Sequence, residues 1–276
     1  SLLSFVVSGI YKNLHHNHLF VLNDKEEAGY FLNDLETLLD KKDILYIPDS
    51  FKKETSFEEV NTNNVLLRTE AINKITNSAT RGEIIVTYPE ALVEKFVVAE
   101  VLKENIILLK KGEKLDDHFI IDLLAENGFE RTDFVYEPGQ FSVRGGIIDI
   151  FSFGNEQPYR VELYDDEVES IRVFDPTTQI SEKSIAQVTI IPNIQTQFGA
   201  EQKSSLFHSL PKNTIVWFKD AKYTFEVINK VYEKAQDWYE IAKKEKLLDR
   251  DHPFNKYPPE ELLLSGPSLL QEVPLF

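Results

Sequence analysis

Residues Glu137 to Ser181 read EPGQFSVRGGIIDIFSFGNEQPYRVELYDDEVESIRVFDPTTQIS, and their alternation decides the fold of the middle of the chain. The run predicts three strands, over 140–153, 159–164 and 168–174. Gly154-Asn155 and Asp165-Asp166-Glu167 separate them, residue types that tolerate turn conformations. Successive strand side chains point to opposite faces, so Tyr159, Val161 and Leu163 share one face while Arg160, Glu162 and Tyr164 share the other. Phe141 and Val143 suit a buried face, which places Arg144 outside. Gly145-Gly146 then breaks the alternation, as a bulge or a close backbone approach would. The product is a small meander whose solvent side carries Arg144, Arg160 and Tyr164, with Arg172 extending the patch.

Arginine and tyrosine anchor protein interfaces, because each offers broad contact area and directed hydrogen bonds. The same arginines are equally suited to cross-strand pairing with carboxylates such as Glu162 and Glu169. Bulk properties narrow the partner class. The chain has 276 residues, 30 basic against 46 acidic, for a net charge of -16. Such a balance opposes tight binding to a phosphate backbone. It contains no cysteine, which excludes disulfides and cysteine-ligated zinc and suits a cytoplasmic protein. No apolar run approaches the roughly 20 residues of a membrane span, so no membrane role is expected.

The flanking sequence reads differently from the meander. His18–Leu22 (HLFVL) is a short apolar strand, followed by Asp24 as a helix N-cap. Ala28, Phe31, Leu32, Leu35, Leu38 and Leu39 then recur at helical spacing. Ile44–Ile47 and Glu83–Thr87 (EIIVT) are further apolar strands, with a helix over 66–75 between them. Uniformly apolar strands alternating with helices argue for a parallel sheet covered on both faces. Asn105–Leu109 reads as a connecting strand. Leu115–Asn127 reads as a helix with apolar Phe119, Leu123 and Leu124, ended by Gly128. Val188–Pro192 closes the inserted part, and the chain returns with a strand at Ile215–Phe218 and a long helix over 223–246. The last thirty residues, rich in proline, look irregular.

The segment PGQFSVRGGIIDIFSFGNEQPYRVELYDDEVESIRVFDPTTQ resembles the second domain of the Mfd family of bacterial transcription-repair coupling factors. It is similar, less closely, to the matching domain of the excision-repair helicase UvrB. The shared pattern runs F-x-V-R-G, D-I-F-P, P-Y-R-hydrophobic-E and D-E-V-E-S-I-R-x-F-D. Ser152 stands where the family often has proline, and Tyr164 where phenylalanine is usual. The resemblance implies a docking surface for UvrA, the damage-recognition ATPase of nucleotide excision repair, formed by Arg144, Arg160 and Tyr164. On this expectation the two arginines meet UvrA carboxylates through forked hydrogen bonds, and Arg160→Glu abolishes docking without changing the thermal melt. The resemblance also implies a longer parent protein. RNA polymerase and double-stranded DNA would be contacted through parts absent here, and ATP with magnesium used in its motor.

The fold class is therefore α/β: a degenerate P-loop, RecA-like parallel-sheet domain with an inserted small β-rich (α+β) domain. The boundaries read as 1–112 for the first part, 113–192 for the inserted UvrA-docking domain, and 193–276 for the return. UvrB-like proteins hold ATP in a G-x-x-x-x-G-K-[ST] loop, and no Gly-Lys-Ser or Gly-Lys-Thr occurs in this chain. The corresponding region is sought at Ser8–Lys12, and after IVWF comes Lys219-Asp220 rather than an acidic pair for magnesium. Between Tyr88 and Glu104 there is little room or aromatic content for UvrB's DNA-clamping hairpin. His15, His16 and His18 are the only metal-like cluster, too polar and local to converge on zinc. The reading is thus a non-catalytic docking module without cofactor or metal. The alternatives are an active UvrB-like ATPase or helicase fragment binding nucleotide and damaged DNA, and a meander that only stabilises its parent.

Overall fold

The apolar runs HLFVL and EIIVT become the two inner strands of a parallel sheet. A computed structural model describes residues 2–13, 16–39, 44–53, 56–77, 82–153, 157–192, 198–248 and 252–273. The chain begins with helix α1 (Leu2–Asn13), strand β1 (Asn17–Val21), helix α2 (Lys25–Leu39) and strand β2 (Leu45–Tyr46). A hairpin of β3 (Phe51–Lys53) and β4 (Ser56–Val60) leads to α3 (Thr62–Asn77), β5 (Ile84–Thr87), α4 (Pro89–Val93) and β6 (Phe96–Val97). Next come α5 (Ala99–Asn105), β7 (Ile107–Lys110), α6 (Asp117–Glu126), β8 (Glu130–Arg131), β9 (Gln140–Arg144) and β10 (Ile147–Ile150). Strands β11 (Tyr159–Tyr164), β12 (Glu167–Phe174), β13 (Ser181–Ile185) and β14 (Gln187–Ile190) follow. The chain then forms β15 (Lys203–Ser204), α7 (Leu206–Ser209), β16 (Thr214–Phe218) and α8 (Ala221–Glu245). Three short helices come last, α9 (Pro253–Lys256), α10 (Pro259–Leu262) and α11 (Gly266–Glu272), in the stretch that reads as irregular.

Strands β16-β1-β5-β2 form an all-parallel sheet in that order. β1 and β5 are buried at every residue, as strands covered on both faces must be. On one face Phe20, Ile84 and Val86 pack with Ala28, Phe31 and Leu35 of α2 and Val7 of α1. Leu19, Val21 and Ile85 are the alternate residues, equally buried. α2 starts where Asp24 Oδ1 accepts the Glu27 N–H at 2.8 Å, satisfying an orphan amide of the first turn. α8 starts at Asp220, whose side chain accepts from Tyr223 N–H, and stops at Lys246 in the left-handed conformation, φ +57°. Its Thr224, Ile228, Ala235 and Ala242 face inward.

The chain divides into two units, residues 1–99 with 199–276, and residues 100–198. The divisions differ from 112 and 192 because the strand read as a connector, β7, pairs antiparallel with β14, with Leu109 opposite Val188. The second unit's main sheet runs β13-β12-β11-β10-β9-β8.

Three local readings are corrected. The single strand expected over 140–153 is two strands, β9 and β10, paired antiparallel with Arg144 opposite Ile147. Gly145-Gly146 is their turn. Gly145 has φ +61°, and a Cβ at Gly146 would lie 2.8 Å from the Leu163 carbonyl oxygen. Phe119 is 63% exposed, whereas Ile120 and Leu124, one turn apart on α6, enter the core. Ser8–Lys12 lies inside α1, while a phosphate-holding loop needs a strand before it and a helix N-terminus after it. The position with that geometry is Leu22–Lys25, between β1 and α2. The turn placed at Gly154-Asn155 lies outside the described residues, as does His15.

Candidate docking site

The register of β9 to β13 sorts the second unit's side chains onto two faces. Phe141, Ile148, Ile150, Val161 and Ile171 pack with Ile120 and Leu124 of α6 and with Leu109, Val188 and Ile190. The alternate residues form cross-strand rows on the opposite face. One row is Ser142, Asp149, Arg160, Arg172 and Ser184. The next is Arg144, Ile147, Glu162 and Ser170. Tyr164 lies beyond it, opposite Glu167. The register therefore brings Arg144, Arg160, Arg172 and Tyr164 to one face.

Their degrees of presentation differ. Tyr164 is 75% exposed. The Arg160 side chain is only 16% exposed, and it closes its fork on Asp149, which is sealed from solvent. Arg160 Nε donates to Asp149 Oδ1 at 2.7 Å and Nη2 donates to Oδ2 at 2.9 Å. Arg144 Nη2 donates to the same Oδ2, and Arg144 Nη1 donates to the Asp133 carbonyl at 3.2 Å. Arg172 Nη2 donates to Glu162 Oε2 at 3.0 Å, an oxygen that also accepts from Ser170 Oγ at 2.6 Å.

These contacts correct the picture of two freely projecting guanidinium forks. A carboxylate sealed inside protein requires charge-assisted partners, and the register sets Asp149 directly against Arg160. The fork expected to grip a partner is therefore closed within the chain. Arg160 Nη1 also donates to the Gln179 carbonyl at 3.2 Å, so three of the five guanidinium donors are engaged. The hydrogen bonds to Asp149 push the Arg160 pKa up, holding the charge more firmly. Aromatic rings complete the support. The Arg160 guanidinium lies over the Phe174 ring at 4.6 Å, and that of Arg144 lies over Phe134 at 5.0 Å. The cross-pairing considered for Glu162 is present with Arg172, whereas Glu169 is exposed beside the strand irregularity near Leu163.

Sequence reading missed Asp149, Phe134 and Gln179. Only Asp149 left a signal, as the lone carboxylate in the apolar run IIDIF. Gln179, at φ +61°, ties its Nε2 to the Val135 carbonyl at 3.1 Å, so the 133–136 segment lies along the arginine face. A cleft of about 530 Å³ lined by Arg131, Phe134 and Arg144, among others, opens beside it.

Elsewhere the candidate ligand positions are occupied by protein groups. At the α2 N-terminus Asp24 caps Glu27, and Glu27 Oε2 accepts the Asn23 N–H at 3.2 Å. Lys219 pairs closely with Glu27. His18 accepts from Trp217 Nε1 at 3.1 Å and stacks on Phe20. Among the described residues no group of three His, Cys, Asp or Glu is placed to hold a metal. No helix among them is long and apolar enough to cross a membrane.

Residues 107–195 match the family model of the UvrB interaction domain. That span is similar to this family. The matched span coincides with most of the second unit and includes all four residues of the candidate face. Over a longer stretch the chain is similar to transcription-repair-coupling factors. The Bacillus subtilis (strain 168) protein is 31% identical over 198 residues, 71% of this chain and 16% of the relative. The Escherichia coli (strain K12) protein is 28% identical over 151 residues, 54% of this chain and 13% of the relative. The Staphylococcus aureus (strain USA300) protein is 28% identical over 235 residues, 82% of this chain and 20% of the relative. The chain thus spans a fifth or less of these relatives' length. The family reading drawn from PGQFSVRGG and its continuation is borne out.

Proposed function

We propose that the arginine face of the UvrB interaction domain docks UvrA, bringing the damage-recognition ATPase to a transcription-repair coupling factor. The observation that carries this reading is the register that sets Arg144, Arg160, Arg172 and Tyr164 on one polar face of a family-matched domain. Tyr164 supplies the exposed ring, and Arg172 with the outer edge of Arg144 supplies the charge. The Asp149–Arg160 pair holds that surface in place instead of gripping the partner. In the parent protein RNA polymerase and double-stranded DNA are bound by other parts, and the location is the cytoplasm.

We read the parallel sheet as a RecA-like domain without its nucleotide site. Support comes from the absence of Gly-Lys-Ser/Thr and from Asp24 and Glu27 at the α2 N-terminus. Two carboxylates where phosphate would sit repel it, and they use amides that a nucleotide would need.

The variant to test is Tyr164→Ala rather than Arg160→Glu. Reversing Arg160 would set a carboxylate against sealed Asp149 and confound folding with docking. In calorimetric titration with purified UvrA, Tyr164→Ala weakens binding by about thirtyfold, the loss of an interface anchor worth about 2 kcal/mol. Its thermal melt matches that of the parent sequence. Unchanged affinity in this variant overturns the assignment, and heat on titrating ATP with magnesium would favour the ATPase alternative.

A further inference from the structure

A second site lies in the first unit, away from the strand ends just discussed. A cleft of about 780 Å³ borders β15, α7 and β16, within the size range of small-molecule sites. We propose that it binds a small anion carrying an apolar body.

Three observations carry this. The first is charge. In a chain of net charge -16 the lining holds Lys95, Lys203 and Lys212 against one carboxylate, Glu272. That carboxylate is already engaged, since Ser205 Oγ donates to it. The second is two orphaned hydroxyls. Thr214 Oγ1 and Ser204 Oγ are both buried with no hydrogen-bond partner among the described residues, and both residues line the cleft. Thr214 as a whole is 4% exposed. Buried polar groups are ordinarily satisfied, and a ligand oxygen in the cleft would give such a hydroxyl an acceptor. The third is the apolar part of the lining, Phe207, Leu210, Val216 and Leu264.

The place of the cleft separates it from any vestige of nucleotide binding. Thr214 opens β16, whereas phosphate ligands of parallel α/β sheets sit beyond the carboxyl ends of the strands. Burial also holds the Lys203 ammonium down at about 8 from an ordinary 10.5. An anion bound beside it would reverse that desolvation cost.

The probes are phenyl phosphate and benzoate, with inorganic phosphate and phenol as half-ligands, titrated into the ¹⁵N-labelled chain and followed by NMR. One aryl anion should saturate, shift the Ser204 and Thr214 amides, and bind about tenfold more tightly than inorganic phosphate or phenol. Which of the two binds tells phosphate from carboxylate. Thr214→Val, nearly isosteric, should weaken binding about threefold, and Lys203→Met with Lys212→Met about tenfold. Neither should alter UvrA affinity, which keeps this test separate from the docking proposal. The inference is overturned if neither aryl anion saturates, or if the shifted amides lie elsewhere. That wild-type mapping decides the matter even where a variant fails to fold.

Discussion

Asp149 joins two arginines from a position sealed from solvent, and this sets what single substitutions can reveal. Removing one partner of a buried ionic cluster leaves the others uncompensated, which typically costs 3–5 kcal/mol. Arg144 keeps over a third of its side chain exposed and can rehydrate, so Asp149→Ala is expected to cost about 3 kcal/mol. Urea unfolding at neutral pH measures it, and a midpoint equal to the parent's would show the cluster to be energetically idle. The same variant should weaken UvrA binding although Asp149 makes no outward contact, because Arg144 and Arg160 lose their shared anchor. At this scale the sequence was half legible. The common face of Arg144, Arg160 and Tyr164 follows from alternation, whereas Arg172 shares its parity with core Val168 and reaches that face only through the strand irregularity beside Leu163. What those arginines touch depends on register, and alternation says nothing about which residue lies opposite which.

That register depends on one short element, the turn between β9 and β10. Gly145 adopts φ +61°, which costs an L side chain strain. At Gly146 the constraint is space, since a Cβ would meet the backbone oxygen of Leu163 at 2.8 Å. Leu163 N–H also donates to the Gly146 carbonyl at 2.7 Å, so the turn is fastened to β11 one residue before Tyr164. Gly146→Ala must displace a backbone group that cannot swing away, and should destabilise by about 1–3 kcal/mol. Chemical denaturation checks the magnitude, and an unperturbed midpoint would mean that the turn yields freely. The element explains why sequence reading joined β9 and β10 into one strand. Paired glycines satisfy a bulge and a two-residue hairpin equally well, and only strand pairing distinguishes them. The exposure of Phe119 has a related reason, because helical spacing defines a stripe without saying which edge of it meets the core.

For the whole molecule, the parallel sheet and the β-rich unit were both legible as classes, since continuous apolar strands and alternating strands differ in plain sequence. The division between them was less so, because β7 looks like a connector until β14 is laid beside it. The second unit is contiguous and has its own core, from Leu109 through Ile190. Residues 100–198 expressed alone should therefore melt in one cooperative transition by circular dichroism, and a gradual, non-cooperative loss of signal would refute that autonomy. The first unit has no such independence along the chain, for Asn17 of β1 waits for Thr214 of β16, 197 residues later. At roughly 5–20 residues per second of synthesis, that wait lasts on the order of 10–40 s. One flank of β1 stays open on the ribosome for that time, while the later-made β-rich unit can fold to completion before the earlier-made sheet is sealed.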